Sequence, residues 1–418
     1  MILKRSKRLF VFPLFSLLFI ALPVYSTMET ADPGAGEVLA LVIPTLLFGI
    51  AYLRLQLKPY HISAFLMWFF CTFVTLVGPF TAETNLMQII KYLAFVIFFI
   101  VVSSYKFTAK DISFVTKGYV VIAVIVAALI FVSFLGGYQH LEREGGGGSF
   151  YYMGRYSIGI TGLYKNPNYL ASFICVAALI VLYKLKMSTM TLKKQVLCMG
   201  IYVLFFVSCF LTGTRASLVV LISIALGLLL SSFKKNANPT FLLVTILIVG
   251  LLIVRYGTQI SEMLDAYLAG REMLHDEGRE QAWPLAIRFF KENFLLGSGI
   301  DAWHHLSHNA AALKNLHNVF LEFLVNQGFV GLLLLAHTLF WGFRKAKKTD
   351  RFFLLFLLFV TAFPISFQNG VIAVNFWRFI IINRLALNYS IYSEEGITAL
   401  FITNKTICQE NVVEKTRA

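Results

Sequence analysis

The sequence predicts an all-α polytopic membrane protein with about twelve transmembrane helices. Of its 418 residues, 58% are hydrophobic and only 14% are charged, whereas about a quarter of the residues in a soluble domain are charged. Apolar segments of about 20 residues, long enough to cross a bilayer, recur along the whole chain. The mean hydropathy is +0.75. This composition excludes a soluble globular enzyme.

The first apolar segment, 9–26, follows a basic N-terminal stretch and could therefore be a cleaved signal peptide. We interpret it as a span, because Pro13 and Pro23 interrupt it and no Ala-x-Ala cleavage site follows. The last predicted span, 370–388, is interrupted by Arg378 and Arg384. Between the first and the last span we predict ten more: 37–53, 60–80, 86–104, 112–135, 168–184, 195–213, 215–233, 241–256, 318–343 and 352–368.

Short clusters of Lys and Arg lie in alternate loops, and the positive-inside rule places such clusters in the cytoplasm. Both termini are then cytoplasmic, with a single transmembrane domain over 1–390 and a tail over 391–418. Two external loops, 136–167 and 257–317, are large enough to hold a site. The second loop lies between predicted helices nine and ten and holds five of the eight histidines.

The net charge of +15 does not indicate a nucleic-acid-binding protein, because the basic residues form short loop clusters rather than one long stripe. The five cysteines have no paired spacing and predict neither a disulfide framework nor a metal knuckle. The sequence contains no ATP-binding loop and no dinucleotide-binding glycine motif. Any chemistry is therefore expected on the external side, where the substrate must arrive already activated.

Arg215 stands in the turn Thr212–Ser217 between two apolar helices. Placing an arginine at the bilayer centre costs roughly 2.5–3.5 kcal/mol, so such residues are candidates for function. At the N-terminus of the following helix, free N–H groups, the helix dipole and the guanidinium together suit phosphate oxygens. The alternative is an interfacial arginine whose long side chain reaches the head groups.

Arg279 begins a segment whose apolar residues recur at helical spacing. We predict an amphipathic helix on the membrane surface, which would hold Arg279 close to lipid head groups; Arg288 lies elsewhere on this helix. An ion pair between Arg279 and the acidic residues around it is the alternative. The predicted apolar face comprises Trp283, Ile287, Phe290 and Phe294.

His317 stands where the second external loop enters a span. A histidine near its unperturbed pKa of about 6.5 can accept a proton from a sugar hydroxyl at neutral pH. A capping or hydrogen-bonded interfacial histidine is the alternative. Further along the same helix, Gly328 and Gly331 have a spacing that permits close contact with another helix.

His304, His305 and His308 suggest a metal site, since the first and the last would share a helix face. A zinc site needs three or four ligands supported by carboxylates, and Asp301 is the nearest carboxylate in the sequence. We predict surface histidines and no bound metal.

The pattern His317-Asn318, nine residues, Gly328-x-x-Gly331 resembles the signature of bacterial O-antigen ligases. These membrane glycosyltransferases move a polysaccharide from undecaprenyl diphosphate onto lipid A–core. Leu334 stands where family signatures often have Gly, Thr or Val. Three further stretches are similar to the same family: Thr-Gly-Thr-Arg215-Ala-Ser, Gly-x-x-x-x-Asn-Pro-Asn168, and Arg279…Trp283…Gly297-x-Gly299.

The resemblance implies a GT-C-like fold and transfer of the polysaccharide at the periplasmic face of the bacterial inner membrane, with no cofactor. Arg215 and Arg279 would grip the diphosphate and stabilise its growing charge, so that no divalent cation is needed. His317 would take the proton from the acceptor hydroxyl or orient that hydroxyl. Further contacts to the diphosphate or the sugar would come from Arg155, Asn168, Arg288 and Asn318.

Three alternatives remain open. Composition alone would permit a structural membrane module, but the arginines and histidines in two long external loops argue against it. The related O-antigen polymerases use the same lipid-linked donor and add it to another lipid-linked chain. A transporter for lipid-linked oligosaccharide would have charged or broken helices near the midplane in two repeated halves, and we find no such repeat in the sequence.

Overall fold

The structure, a computed structural model, describes residues 57–78, 86–135, 167–188, 190–211, 214–232, 277–300, 302–306, 316, 318–366, 374–394 and 396–401. Within these residues the chain is helical and contains no strand. The helices are α1 (Pro59–Val77), α2 (Leu86–Ser104), α3 (Ala109–Leu135), α4 (Pro167–Met187), α5 (Leu192–Leu211), α6 (Arg215–Ser232), α7 (Glu277–Glu292), α8 (Ala302–Leu306), α9 (Val319–Phe340), α10 (Lys348–Ile365), α11 (Val374–Tyr392) and α12 (Ile397–Phe401). A 3-10 turn, Phe343–Lys345, follows α9.

Each of the helices α1–α6 and α9–α11 overlaps one of the predicted spans. Among the described residues, five helices are long and apolar enough to cross a membrane: α1, α2, α3, α5 and α9 continued to Lys345. Helix α6 contains a shorter apolar stretch, Ala216–Leu228. The predicted spans 9–26, 37–53 and 241–256 lie outside the described residues, so the total of about twelve stays a prediction. The chain is a multi-pass membrane protein whose described residues form only helices and their connections.

The described helices form two groups. Helix α4 lies at the centre of the first and contacts α3, α5, α6 and α10. Its residues Ala177 and Ala178 are fully buried, and side chains this small let neighbouring helices approach closely. In the second group α9 and α1 pack along each other, with α2 and α11 against them. Helix α10 joins the groups because it contacts both α4 and α11.

Apolar side chains also cover outward faces of the bundle. On α3, Val121, Ile125 and Val132 are each more than half exposed. In water a continuous apolar surface of this kind would promote association, whereas lipid tails solvate it. The exposed faces therefore agree with the membrane assignment.

Arg384 interrupts the last predicted span, yet it is fully buried within α11. Its guanidinium donates to the carbonyl oxygen of Trp341 and to Oδ1 of Asn388, each at 2.8 Å. It also lies 3.6 Å from the ring centre of Tyr60. A buried cation needs such partners. The arginine therefore faces the bundle, and α11 continues through it.

The segment after α11 folds back onto the bundle. The carboxylate of Asp350, which is fully buried, accepts hydrogen bonds from the Ser390 hydroxyl at 2.6 Å and from the amides of Ile397 and Thr398 at 2.9 Å. The Thr398 hydroxyl donates a fourth at 2.7 Å. A negative charge is favourable at the N-terminus of α12 because of the helix dipole. The first part of the predicted tail is thereby packed; residues 402–418 lie outside the described residues.

Candidate functional site

Helix α7 is amphipathic, as predicted, but its apolar side packs against the protein. Trp283 and Phe290 are partly buried there, whereas Ile287, predicted on the same face, is 43% exposed. The buried side meets α8 and α9 rather than lipid, which corrects the prediction of a helix that simply lies on the membrane surface. The small core at this contact comprises Ala282, Ala286, Ala302, Trp303, Leu316 and Val325.

Helix α9 is interrupted at Gly328, and the segment 293–300 after α7 fills the interruption. Four backbone hydrogen bonds join the two, from Ser298 N–H to the Val325 carbonyl (2.8 Å), Gly299 to Asn326 (3.0 Å), Phe329 to Phe294 (2.8 Å) and Val330 to Leu295 (3.0 Å). Irregular backbone is tolerated at membrane depth only where protein or water satisfies its polar groups. Here the inserted segment does so.

Two glycines make this close approach possible. Gly328 has φ +64° and ψ −164°, a conformation essentially confined to glycine, and a Cβ there would lie 2.5 Å from the nitrogen of Gly297. Gly297 has φ +75°, and a Cβ there would lie 2.5 Å from the nitrogen of Gln327. Gly331 faces the Gln327 side chain of its own helix. The spacing of Gly328 and Gly331 permits close contact with another helix, but at Gly328 the structure uses the space for the segment 293–300.

Helix α1 holds this segment from its other side. The hydroxyl oxygen of Thr75 accepts the N–H of Ile300 at 2.7 Å, and the same hydroxyl donates to the carbonyl oxygen of Cys71 at 2.7 Å. Segment 293–300 therefore lies between α1 and α9 and is hydrogen-bonded to both. The pattern Gly297-x-Gly299 lies within this segment.

The turn that leads into α9 is held at two points. The indole Nε1–H of Trp283 donates to the carbonyl oxygen of Leu316 at 3.0 Å. Asn318 caps α9, since its Oδ1 accepts the N–H of Leu321 at 3.0 Å; a cap of this kind satisfies a helix donor that would otherwise lack a partner. His317, between these two anchors, lies outside the described residues.

At three predicted site residues the structure describes the backbone and not the side chain. Arg215 is the first residue of α6, as predicted, Arg279 lies in the first turn of α7, and Asn168 is the second residue of α4. Arg155 lies wholly outside the described residues. The distances within the predicted diphosphate site therefore stay predictions. The described residues also leave out the side chains of the histidine cluster His304, His305 and His308.

Arg288 is described in full. Its side chain is 74% exposed, and its Nε donates to Oε1 of Glu292 at 2.9 Å, one turn further along α7. Exposed pairs of this kind contribute about 0.3–0.5 kcal/mol. Positions 279 and 288 differ by nine residues, which at about 100° per residue puts them on opposite sides of the helix. Arg288 therefore stands apart from the side of Arg279.

A polar pair in the middle of α9 was missed by the sequence analysis. Asn326 and Gln327 directly precede the break and are 2% and 4% exposed. The Gln327 Nε2 donates to the hydroxyl of Tyr92 at 2.6 Å, whereas its Oε1 and the Asn326 Oδ1 have no partner among the described residues. A signal was available, because adjacent amides are costly in an apolar helix and here precede a glycine.

Comparison with known proteins assigns a family to this region. Residues 200–336 match the family model described as O-antigen ligase. The match begins in α5, ends in α9, and includes Arg215, Arg279 and His317. No individual curated protein matches the chain. Over these residues the chain is similar to the O-antigen ligase family.

Proposed function

We propose that the chain joins O-antigen polysaccharide from undecaprenyl diphosphate to lipid A–core at the periplasmic face of the inner membrane. The family match supports ligase-type or polymerase-type chemistry, and the choice of ligase is our proposal. One observation carries the site. The indole N–H of Trp283 binds the carbonyl oxygen of Leu316 at 3.0 Å, and this bond ties the helix that carries Arg279 to the turn that carries His317.

Arg279 and His317 are therefore proposed to act on one substrate. Arg279 and Trp283 are four residues apart in α7, so they share one side of the helix. The carbonyl of Leu316 belongs to the planar peptide unit that leads into His317. A guanidinium binds diphosphate oxygens through paired donors, and an imidazole accepts a proton from a hydroxyl near neutral pH.

Arg215 would supply a second positive charge. It begins α6, and the free N–H groups at a helix N-terminus favour a bound anion. Asn168 lies at the N-terminal end of α4, which packs against α6. In the predicted topology both helix ends face the external side, so Asn168 and Arg155 would complete the contacts to the diphosphate or the sugar. Asn318 is a further candidate for such a contact, whereas Arg288, on the side of α7 opposite Arg279, is not expected to reach the diphosphate.

In the proposed reaction a hydroxyl of lipid A–core attacks the anomeric carbon of the lipid-linked sugar. The new C–O bond forms as the bond from that carbon to the diphosphate oxygen breaks, and undecaprenyl diphosphate leaves with the electron pair. The hydroxyl proton passes to a ring nitrogen of His317. Arg215 and Arg279 stabilise the charge on the departing diphosphate, so we propose a metal-independent reaction. Direct displacement inverts the anomeric configuration.

The transporter alternative predicts broken helices, and α9 contains a break at Gly328. The backbone of segment 293–300 fills that break through four hydrogen bonds. Filled in this way, the break does not line an open path for a substrate. It therefore favours a rigid support for the α9 entrance over a transport route.

The test is the lipopolysaccharide banding pattern of a ligase-deficient Gram-negative host with a compatible core. The chain and its His317→Ala and Arg279→Ala variants are compared at matched membrane levels. Gly200→Ala serves as control, since a Cβ at Gly200 would have no atom within 4 Å. We expect the chain and the control to restore the high-molecular-weight ladder and the two variants not to restore it.

A polymerase-deficient host separates the two transferases. A ligase leaves that host with a single repeat unit on the core, whereas a polymerase restores the ladder there. A ladder restored in the polymerase-deficient host and absent from the ligase-deficient host would replace the ligase proposal by the polymerase alternative.

A further inference from the structure

Trp283 holds the backbone directly before His317. Its indole N–H donates to the carbonyl oxygen of Leu316 at 3.0 Å, and that oxygen shares a rigid plane with the N–H of the next residue. The hydrogen bond therefore restrains the peptide unit that follows Leu316. We propose that Trp283 is a positioning residue for His317, a role that deepens the proposed function and rests on it.

The residue on the other side of His317 is fixed as well. The side chain of Asn318 caps α9 by accepting the N–H of Leu321 at 3.0 Å, and Val319, where the helix starts, is 2% exposed. Leu316 and Asn318 are therefore each held by a hydrogen bond to another residue. Loss of the indole bond would release one of these two contacts.

The helix that carries Trp283 is held against the rest of the protein at two places. Ala282 and Ala286 of α7 are fully buried in the same small core that contains Leu316. Beyond the C-terminal end of α7, segment 293–300 is joined to α9 by four backbone hydrogen bonds. A donor supported on both sides keeps its place relative to α9, which is what a group that orients another residue requires.

Trp303 provides a matched control. Its ring is 4% exposed and lies in the same small core, but its Nε1 has no partner among the described residues. Substitution by phenylalanine removes the indole N–H and part of the ring at either position. Lost packing would be felt at least as strongly at Trp303, which is the more buried ring, whereas a lost hydrogen bond is confined to Trp283.

The first measurement is amide hydrogen exchange of the purified full-length protein, followed in a peptide covering 316–324, in which the amides of Leu321 and Glu322 donate to Asn318. We expect Trp283→Phe to accelerate exchange in this peptide about tenfold, and Trp303→Phe to change it by less than about twofold, since the bond concerned exists only at Trp283. Equal exchange in all three proteins, or equal acceleration in both variants, would overturn the role of Trp283.

The second measurement is the kinetics of transfer from lipid-linked donor to lipid A–core. Trp283→Phe should lower kcat about 10- to 100-fold, as a small misplacement of a catalytic group does, with little change in the KM of the donor. It should add no further loss in a His317→Ala background, because a positioning residue acts only through the group it positions. Trp303→Phe should stay near the unmodified chain.

The outcomes separate the two levels of the proposal. Losses that add fully in the double variant, or a rise in KM alone, would overturn the positioning role while the ligase assignment stands. If the unmodified chain transfers nothing, the proposed function fails, and hydrogen exchange at 316–324 still decides whether Trp283 holds the start of α9.

Discussion

Replacing Gly328 by alanine should open the junction between α9 and the segment 293–300. The backbone at Gly328 has φ +64° and ψ −164°, a region that residues with a Cβ rarely adopt. The added Cβ would lie 2.5 Å from the nitrogen of Gly297 and 2.6 Å from the carbonyl oxygen of Leu295. Because both are backbone atoms, no side-chain rotation can relieve the contact.

The size of the effect follows from two contributions. Backbone strain at such a residue costs about 1–3 kcal/mol. Relief of the contact requires segment 293–300 to move away from α9. Each of the four backbone hydrogen bonds between them contributes about 0.5–1.5 kcal/mol net to stability. Strain together with the loss of only some of these bonds amounts to about 3 kcal/mol. At 1.4 kcal/mol per factor of ten, the junction would open roughly 100-fold more often.

Hydrogen exchange of the full-length protein measures this opening directly. The amides of Ser298, Gly299, Phe329 and Val330 cross the junction, and peptides that contain them should exchange about 100-fold faster in Gly328→Ala. Gly200→Ala, in the exposed middle of α5 with no atom within 4 Å of the new Cβ, should exchange like the unmodified chain. If Gly328→Ala exchanges like that control, the break and its filling by 293–300 are wrong.

Three further predictions concern stability and transfer. Asp350→Ala should lower the free energy of unfolding by about 3 kcal/mol or more, because two amides and two hydroxyls lose a buried acceptor. Its apparent Tm should fall below that of Asp350→Asn, which keeps an acceptor oxygen. Equal melting temperatures for the two variants would contradict this reasoning. Tyr92→Phe should cost about 1–3 kcal/mol, since the buried amide of Gln327 loses its bond to the Tyr92 hydroxyl; an unchanged Tm would speak against that bond. Arg279→Ala should abolish transfer to lipid A–core, whereas Arg288→Ala should preserve most of it because that side chain is 74% exposed and paired along its own helix; similar losses would contradict the two sides assigned to α7.

The positions of several helices could be predicted from apolar length alone. Helix α2 covers Leu86–Ser104, the predicted 86–104, and α6 begins at Arg215, as its preceding Thr-Gly-Thr turn indicates. In a membrane the requirement that every backbone group be satisfied within a helix makes such runs unambiguous. Local pattern is sufficient wherever the bilayer, rather than a distant part of the chain, decides the structure.

The contacts that build the site could not be predicted in this way. The spacing of Gly328 and Gly331 fits a close helix pair as well as a broken helix, and the contact that decides between them involves Gly297, which is distant in sequence. The amphipathic pattern correctly predicted that α7 is a helix, but it did not predict that its apolar side packs against α8 and α9. Burial of Arg384 likewise depends on Tyr60, far along the chain. Each of these outcomes depends on tertiary packing.

The most direct test of the ligase assignment is transfer by the purified full-length chain. The protein is mixed with undecaprenyl-diphosphate-linked polysaccharide and lipid A–core, with and without a chelator, and the products are separated by size and identified by mass. We predict polysaccharide attached to lipid A–core with release of undecaprenyl diphosphate, unaffected by the chelator and lost in His317→Ala. Polysaccharide that instead lengthens on undecaprenyl diphosphate, with no product on lipid A–core, would contradict the assignment.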